Sequence, residues 1–266
     1  MGELTKPELR SRFRRLRAEA LPATEAAIQA VAARELTHWL KTDWLKLAAS
    51  GPNSACGGRG NSLGLYWPLA GEADLRGCFQ HLFSPPPRPT SAPPEPAQLS
   101  PLLPSSSLSA TTLPSPAQPS PVQPSSPVQP PPVPPAPVPS ATSWSLALPA
   151  IASTAEDPQL ALRYRPWRPG DPLAADHCGI AAPLACPPLP ASAMAALLLP
   201  CLALDSRGLR LGYGGGWFDR LRVQPSWRAV PALGVLPAAC LAPILPQDPW
   251  DVPLDGWIDE NGLHWV

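Results

Sequence analysis

The stretch "AALLLPCLALDSRGLRLGYGGGWFDR", Ala195 to Arg220, decides how this chain is read. Its first part, "AALLLPCLALD", is a continuous apolar run ending in Asp205, as suits a central parallel strand buried on both faces. Its second part packs Gly212, Gly214, Gly215 and Gly216 between Arg210 and Arg220, with Tyr213, Trp217, Phe218 and Asp219 interleaved. A buried strand that runs into a glycine-rich turn places a site outside the strand's carboxyl end, the usual location in an open α/β sheet.

The surrounding sequence alternates accordingly. "SLGLYWPL" reads as a short buried strand ended by Pro68, "WSLALPA" and "LALRYRPW" as two more, and "AVPALGVLP" as the strand after the glycine loop. Lys6 to Ala20, with Leu9, Phe13 and Leu16 at helical spacing, predicts a first helix. Thr24 to Leu40 predicts a second, capped by Thr24. "AGEADLRGCFQHLF" is expected to turn helical at about Ala73, with Glu72 and Asp74 at its start. The fold class is α/β: an open, mostly parallel sheet flanked by helices, in a single domain interrupted by a disordered proline-rich insertion.

That insertion is read from composition. The chain has 43 prolines in 266 residues, and roughly half of them fall between Ser84 and Ser140. A nearly uncharged, polyproline-like tract cannot bury a face, and a long surface loop costs little extra closure entropy. The expected organisation is 1–83 and 141–266 as two parts of one domain, with 84–140 between them. The PxxP repeats make a weak protein partner at the tract conceivable, although flanking basic anchors are scarce.

Lys+Arg 20 balances Asp+Glu 20, so no net field draws the chain to nucleic acid or an anionic membrane. Basic residues nonetheless cluster in "KPELRSRFRRLR" and again from Arg207 to Arg222. Brought together, the two clusters could hold a polyanionic small molecule; the first alone could equally be a solvated helix face. Six cysteines without CxxC spacing suit reduced thiols. The amino terminus lacks an apolar signal region, and Pro200 breaks the longest apolar run. A soluble, cytoplasmic monomer is expected.

The glycine loop fits neither familiar phosphate motif. Counting from Gly212 gives Gly214 and then Trp217, which fails the dinucleotide register, and no Gly-Lys-Ser/Thr follows. Two physical readings stand. The glycines permit positive φ and close backbone approach, so N–H groups could converge on phosphate oxygens ahead of a helix amino terminus, with Arg210 and Arg220 adding charge and Asp219 offering oxygen to Mg²⁺. Alternatively, the stretch is a flexible turn with a capping aspartate.

"LALDSRGLRLGYGGGWFDR" resembles the hallmark of the 5-formyltetrahydrofolate cyclo-ligase family, also called 5,10-methenyltetrahydrofolate synthetase. Lys6, Leu9 and Arg10 match its amino-terminal K-x-x-L-R motif, "YWPLAGEAD" its acidic substrate strand and "DVPLDGWIDE" its late aspartate stretch. The resemblance implies ATP-dependent closure of 5-formyltetrahydrofolate to 5,10-methenyltetrahydrofolate, with ADP and phosphate released. It places Lys6, Arg10, Arg210, Leu211, Gly212, Tyr213, Gly214, Gly215, Gly216, Trp217 and Phe218 on the ATP side. Trp67, Glu72 and Tyr213 to Trp217 would face the folate, and Asp219 and Asp251 would hold Mg²⁺. Arg210, Tyr213 and Asp219 are the catalytic candidates.

Each residue also has a plainer reading: Lys6 and Arg10 as helix coat, Glu72 as a cap, Asp251 as a turn residue and Trp67 as packing. Trp39, Trp44, Trp227, Trp250 and Trp265 are read as packing. Three departures from the family pattern stand out: Ala150 after Pro149, Ala182 in "GIAAP", and Asp259-Glu260. A weakened folate- or nucleotide-binding protein whose proline tract recruits partners, or an ATP-dependent enzyme on another small substrate, are the alternatives.

Overall fold

The computed structural model describes residues 4–44, 60–82, 144–154 and 159–266. The proline-rich tract expected over 84–140 lies outside the described residues, as do Cys56 and the side chain of Trp44.

Among the described residues the main sheet has seven strands, in the order Gly262–Trp265, Gly256–Asp259, Ala232–Val235, Met194–Pro200, Ser62–Gly64, Ser145–Ala152 and Ala161–Trp167. Its centre is β6 (Met194–Pro200), buried along six of its seven residues, with β1 (Ser62–Gly64) on one side and β9 (Ala232–Val235) on the other. Both pairings are parallel, with Gly64 opposite Leu197 and Leu198 opposite Leu233. Strands β2 (Ser145–Ala152) and β11 (Gly256–Asp259) extend the parallel set, and β3 (Ala161–Trp167) and β12 (Gly262–Trp265) add antiparallel edges. The apolar run expected to form one central strand therefore supplies β6 and then leaves the sheet. Its second half, β7 (Ala203–Asp205), pairs antiparallel with β8 (Arg210–Leu211) and parallel with β10 (Leu241–Ala242) in a small three-stranded sheet. The antiparallel hairpin of β4 (Ala174–Ala175) and β5 (Ala181–Ala182) forms a third. No helix among the described residues is long and apolar enough to cross a membrane.

The two amino-terminal helices expected from sequence are one. Helix α1 runs from Lys6 to Val31 and continues through the π-type turn Ala32–Leu36, α2 (Thr37–Trp39) and a second π-type turn, Leu40–Trp44. Pro22 lies inside α1, where a missing N–H and a steric clash cost about 3 kcal/mol. Leu21, Ile28, Val31, Ala32 and Leu36 pack into one core cluster across this point, and that burial holds the helix through the proline. Thr24 is not a cap: its hydroxyl donates back to the carbonyl of Ala20 at 3.1 Å.

The helix expected at Ala73 is also absent. Residues 73–75 are irregular, 76–79 are turns, and a single 3₁₀ turn spans Gln80–Leu82. Side chains take the backbone groups a helix would have used. Glu25 accepts from the Asp74 N–H, the Tyr66 hydroxyl donates to the Ala73 carbonyl, and the Asp74 carboxylate accepts from the Arg76 N–H. Such local bonds offer the backbone an alternative to helix.

Candidate functional site

The buried carboxylate of Asp205 delivers the glycine loop. One oxygen accepts from the N–H groups of Arg207 and Leu209, and the other from the Arg207 side chain and the Leu245 N–H. These bonds fix the β7–β8 turn, in which Gly208 takes φ 78°. The chain then leaves β8 through Gly212–Gly216 into α3 (Trp217–Arg222). Of the four loop glycines, Gly214 (φ 103°) and Gly216 (φ 63°) use the left-handed region, and Gly212 and Gly215 do not. Gly214 also lies against α1, since a Cβ there would sit 3.4 Å from the Arg10 guanidinium carbon.

The loop closes one side of a cavity of about 340 Å³. Lys6, Arg10, Trp67, Glu72, Asp219, Asp251 and every residue from Arg210 to Phe218 line it, so the residues singled out from sequence share one space. They come from four places: the amino end of α1, the segment after β1, the glycine loop with the start of α3, and the loop before β11. The far wall includes Pro149 and Ile151 of β2 and the hairpin from Asp176 to Ile180. There the Asp176 carboxylate accepts from the N–H groups of Ile151, Cys178 and Ile180.

Charge enters from α1. Lys6 donates to Asp248 and to Asp251, each at 2.6 Å. Partial burial opposes its charge, but the two carboxylates outweigh it and raise the Lys6 pKa above the ordinary lysine value. Arg10 donates to the Gly212 carbonyl at 3.0 Å, which ties the loop to the helix. Arg210 bonds Asp219 at 2.7 Å and lies over the Phe218 ring. The second basic cluster reaches the cavity only through Arg210. Arg207 serves Asp205, Arg222 is buried on the Val230 carbonyl and the Asp255 carboxylate, and Arg220 donates to the Gly215 carbonyl while covering Trp217. The expectation that Arg220 charges the anion site is corrected on that ground.

At the other end, the Tyr213 hydroxyl donates to Glu72 at 2.6 Å, and the second Glu72 oxygen accepts from the Leu69 N–H at 2.8 Å. Burial, then the neighbouring Glu72 charge, pushes the Tyr213 phenol up to about 12, so it is protonated and a donor at neutral pH. Trp67 is half-buried, with the Arg76 guanidinium 3.9 Å from its ring centroid. Asp74 holds that guanidinium at 2.6 Å.

Three residues here escaped the sequence reading. Asp248 shares Lys6 with Asp251. Trp250, expected to pack, is 64% exposed and lines the cavity. Arg17 lies beneath Tyr213, and its position eleven residues after Lys6, three helical turns along the same face, was the available signal. Of the other tryptophans read as packing, Trp227 is buried and stacks on Tyr164, and Trp39 meets Trp265, which remains 44% exposed.

Asp219 and Asp251 offer the hard carboxylate oxygens that suit Mg²⁺, an ion usually held by one or two carboxylates together with substrate phosphates. Among the described residues no group of three or more His, Cys, Asp or Glu side chains is arranged to hold a metal by itself. Both aspartates line the cavity and both face a cation already, Arg210 and Lys6, so the donor chemistry fits a metal that arrives with phosphate.

The architecture and cavity define an open α/β protein whose cleft has a cationic, glycine-lined end beside an acidic, aromatic one. The model of the 5-formyltetrahydrofolate cyclo-ligase family matches residues 142–259 of this chain. The 5-formyltetrahydrofolate cyclo-ligases of Escherichia coli K12 and O157:H7 are each 36% identical over 66 residues, covering 25% of this chain and 36% of theirs, so the match spans about a third of those relatives. The solved 5,10-methenyltetrahydrofolate synthetase of Aquifex aeolicus is 19% identical with a TM-score of 0.54, over 98% of this chain and 93% of that one, which shows a common fold.

Proposed function

We propose that this chain is an ATP- and magnesium-dependent 5-formyltetrahydrofolate cyclo-ligase that forms 5,10-methenyltetrahydrofolate, ADP and phosphate. The observation that carries the proposal is the meeting, in one cavity, of the α1 cations, the glycine loop and the Glu72–Tyr213 pair. It also supports the division of labour drawn from sequence, with phosphate toward Lys6, Arg10 and Arg210 and folate toward Trp67, Glu72 and Tyr213.

The chemistry asks for little beyond positioning. A formyl group on nitrogen is a poor electrophile, because the nitrogen lone pair is donated into the carbonyl. Attack of the formyl oxygen on the γ-phosphorus of ATP releases ADP and turns that oxygen into a leaving group. N10 then attacks the activated carbon, loses its proton and expels phosphate, closing the ring. Arg210 and Lys6 would neutralise charge on the transferred group. Asp219 and Asp251 would hold magnesium, which would supply Lewis-acid polarisation. With Asp219 serving the ion, the Arg210 guanidinium would be left to face phosphate. Glu72, with the Tyr213 proton and the Leu69 N–H on its oxygens, presents its remaining lone pairs as acceptors for ligand N–H groups. Tyr213 and Trp217 would contact the flat pterin.

The departures from the family pattern do not argue for a weakened site. Ala150 and Ala182 are fully buried, and neither lines the cavity. Asp259 is buried in the β11–β12 turn, where it accepts from the Asn261 and Gly262 N–H groups and from Trp257. The described residues on the two sides of the proline-rich tract group as one compact unit, which supports reading the tract as an insertion into a single catalytic domain. Incubating the protein with ATP, Mg²⁺ and 5-formyltetrahydrofolate should yield methenyltetrahydrofolate and ADP in equal amounts. ATP turnover that other carboxylates stimulate and folate does not would instead favour a different small substrate.

A further inference from the structure

Arg17 is the charged member of the buried face of α1, its side chain only 5% exposed. Such a guanidinium carries a large desolvation cost unless its surroundings repay it. Its Nη2 donates to the Tyr213 hydroxyl at 2.5 Å, and its Nη1 to the Cys201 carbonyl at 3.3 Å. Nη1 also lies 3.7 Å from Glu72, whose side chain is 2% exposed, and Nε is buried without a hydrogen-bond partner among the described residues. The guanidinium carbon stands 5.5 Å from the Tyr213 ring centroid.

The hydrogen bonds have a direction. A guanidinium has donors and no acceptor, and a phenol has a single proton. With Arg17 donating to the Tyr213 oxygen, that proton points to the nearest acceptor, Glu72 Oε1 at 2.6 Å. The chain therefore runs Arg17 to Tyr213 to Glu72 and sets which lone pairs of Glu72 face the cavity.

Resting on the cyclo-ligase reading, we propose that Arg17 is a positioning residue of the folate end: it orients Tyr213 and Glu72 so that the site accepts the N–H-bearing edge of a flat heterocycle. Arg17 does not line the cavity and acts through these two side chains. Its effect falls on folate recognition and leaves the Lys6–Arg10 end unchanged.

The test is a double-mutant cycle of Arg17→Met and Tyr213→Phe, with Arg17→Lys alongside and thermal melts as a folding control. Each single variant should raise KM for 5-formyltetrahydrofolate about tenfold, as for loss of one charge-assisted hydrogen bond, with KM for ATP within about twofold of wild type. The double variant should be little worse than either single one, because both break the same chain. Arg17→Lys, which keeps charge and a donor, should recover part of the loss. Multiplying effects in the cycle, or equal rises in both KM values, overturn the proposal by showing a general structural role. If Arg17→Met does not fold, the cycle of Arg17→Lys with Tyr213→Phe is read by the same criteria. Folate Kd from tryptophan quenching gives the cycle without turnover. Folate binding by a wild-type protein that turns nothing over would refute the activity and still decide the role of Arg17; no folate binding at all refutes both.

Discussion

Replacing Asp219 by Asn tests the two roles assigned to that carboxylate. Arg210 and Asp219 meet at 2.7 Å with side chains 7% and 17% exposed, so their attraction is poorly screened. A hydrogen bond to a charged partner contributes about 1.5–3 kcal/mol, and the amide keeps a neutral one of about 1, which leaves a loss of about 0.5–2 kcal/mol. For a domain of this size that lowers Tm by about 1–8 °C. ATP added without magnesium should restore more stability to Asp219→Asn than to wild type, because its phosphates give Arg210 a new counter-charge and no carboxylate repels them. With magnesium the order should reverse, and the concentration giving half-maximal turnover should rise at least about tenfold in the variant, one of two ligands being lost. Thermal shift measured over a grid of ATP and Mg²⁺ reads both effects. A variant whose magnesium dependence and turnover match wild type would refute the metal role and the exchange of partners with Arg210.

Arg210→Met should lower kcat about 100- to 1000-fold, the loss typical of a donor aimed at developing charge, and single-turnover phosphoryl transfer would show it. Gly214→Ala forces a side chain into φ 103° at 3.4 Å from the Arg10 guanidinium, so Tm should fall and KM for ATP should rise, with circular dichroism confirming the fold. Asp259→Ala removes an acceptor from a buried turn and should cost about 1–3 kcal/mol in denaturant unfolding while both KM values stay unchanged. The raised pKa of Lys6 means that its pairing with Asp248 and Asp251 contributes stability fully below about pH 10.5 and loses it as pH rises through the higher folded value. Lys6→Met should abolish that alkaline component in Tm measured against pH.

The sheet was readable because its central strands are apolar runs of the right length, and β6 announces itself in "MAALLLP". The interruption of the same run by Pro200 did not say that β7 would join a different sheet, since that depends on partners distant in sequence. The break expected before Thr24 is missing for a similar reason: Thr24 reads locally as a cap, and the packing of Leu21, Ile28 and Leu36 into one core carries the helix through it and through Pro22. Around Asp74, the carboxylate of Glu25 and the hydroxyl of Tyr66 took the backbone groups that the expected helix needed, and no local pattern discloses such contacts. Within the site, residues carried by a motif were legible. Asp248, Trp250 and Arg17 were not, because their relevance comes from what they face.

The most direct measurement of the central claim is a single incubation of the purified full chain with 5-formyltetrahydrofolate, ATP and Mg²⁺, following methenyltetrahydrofolate by absorbance and ADP in the same sample. One ADP for each methenyltetrahydrofolate formed, with neither produced when folate, ATP or Mg²⁺ is omitted, is the predicted result. Folded protein that forms no methenyltetrahydrofolate while binding both ligands would contradict it.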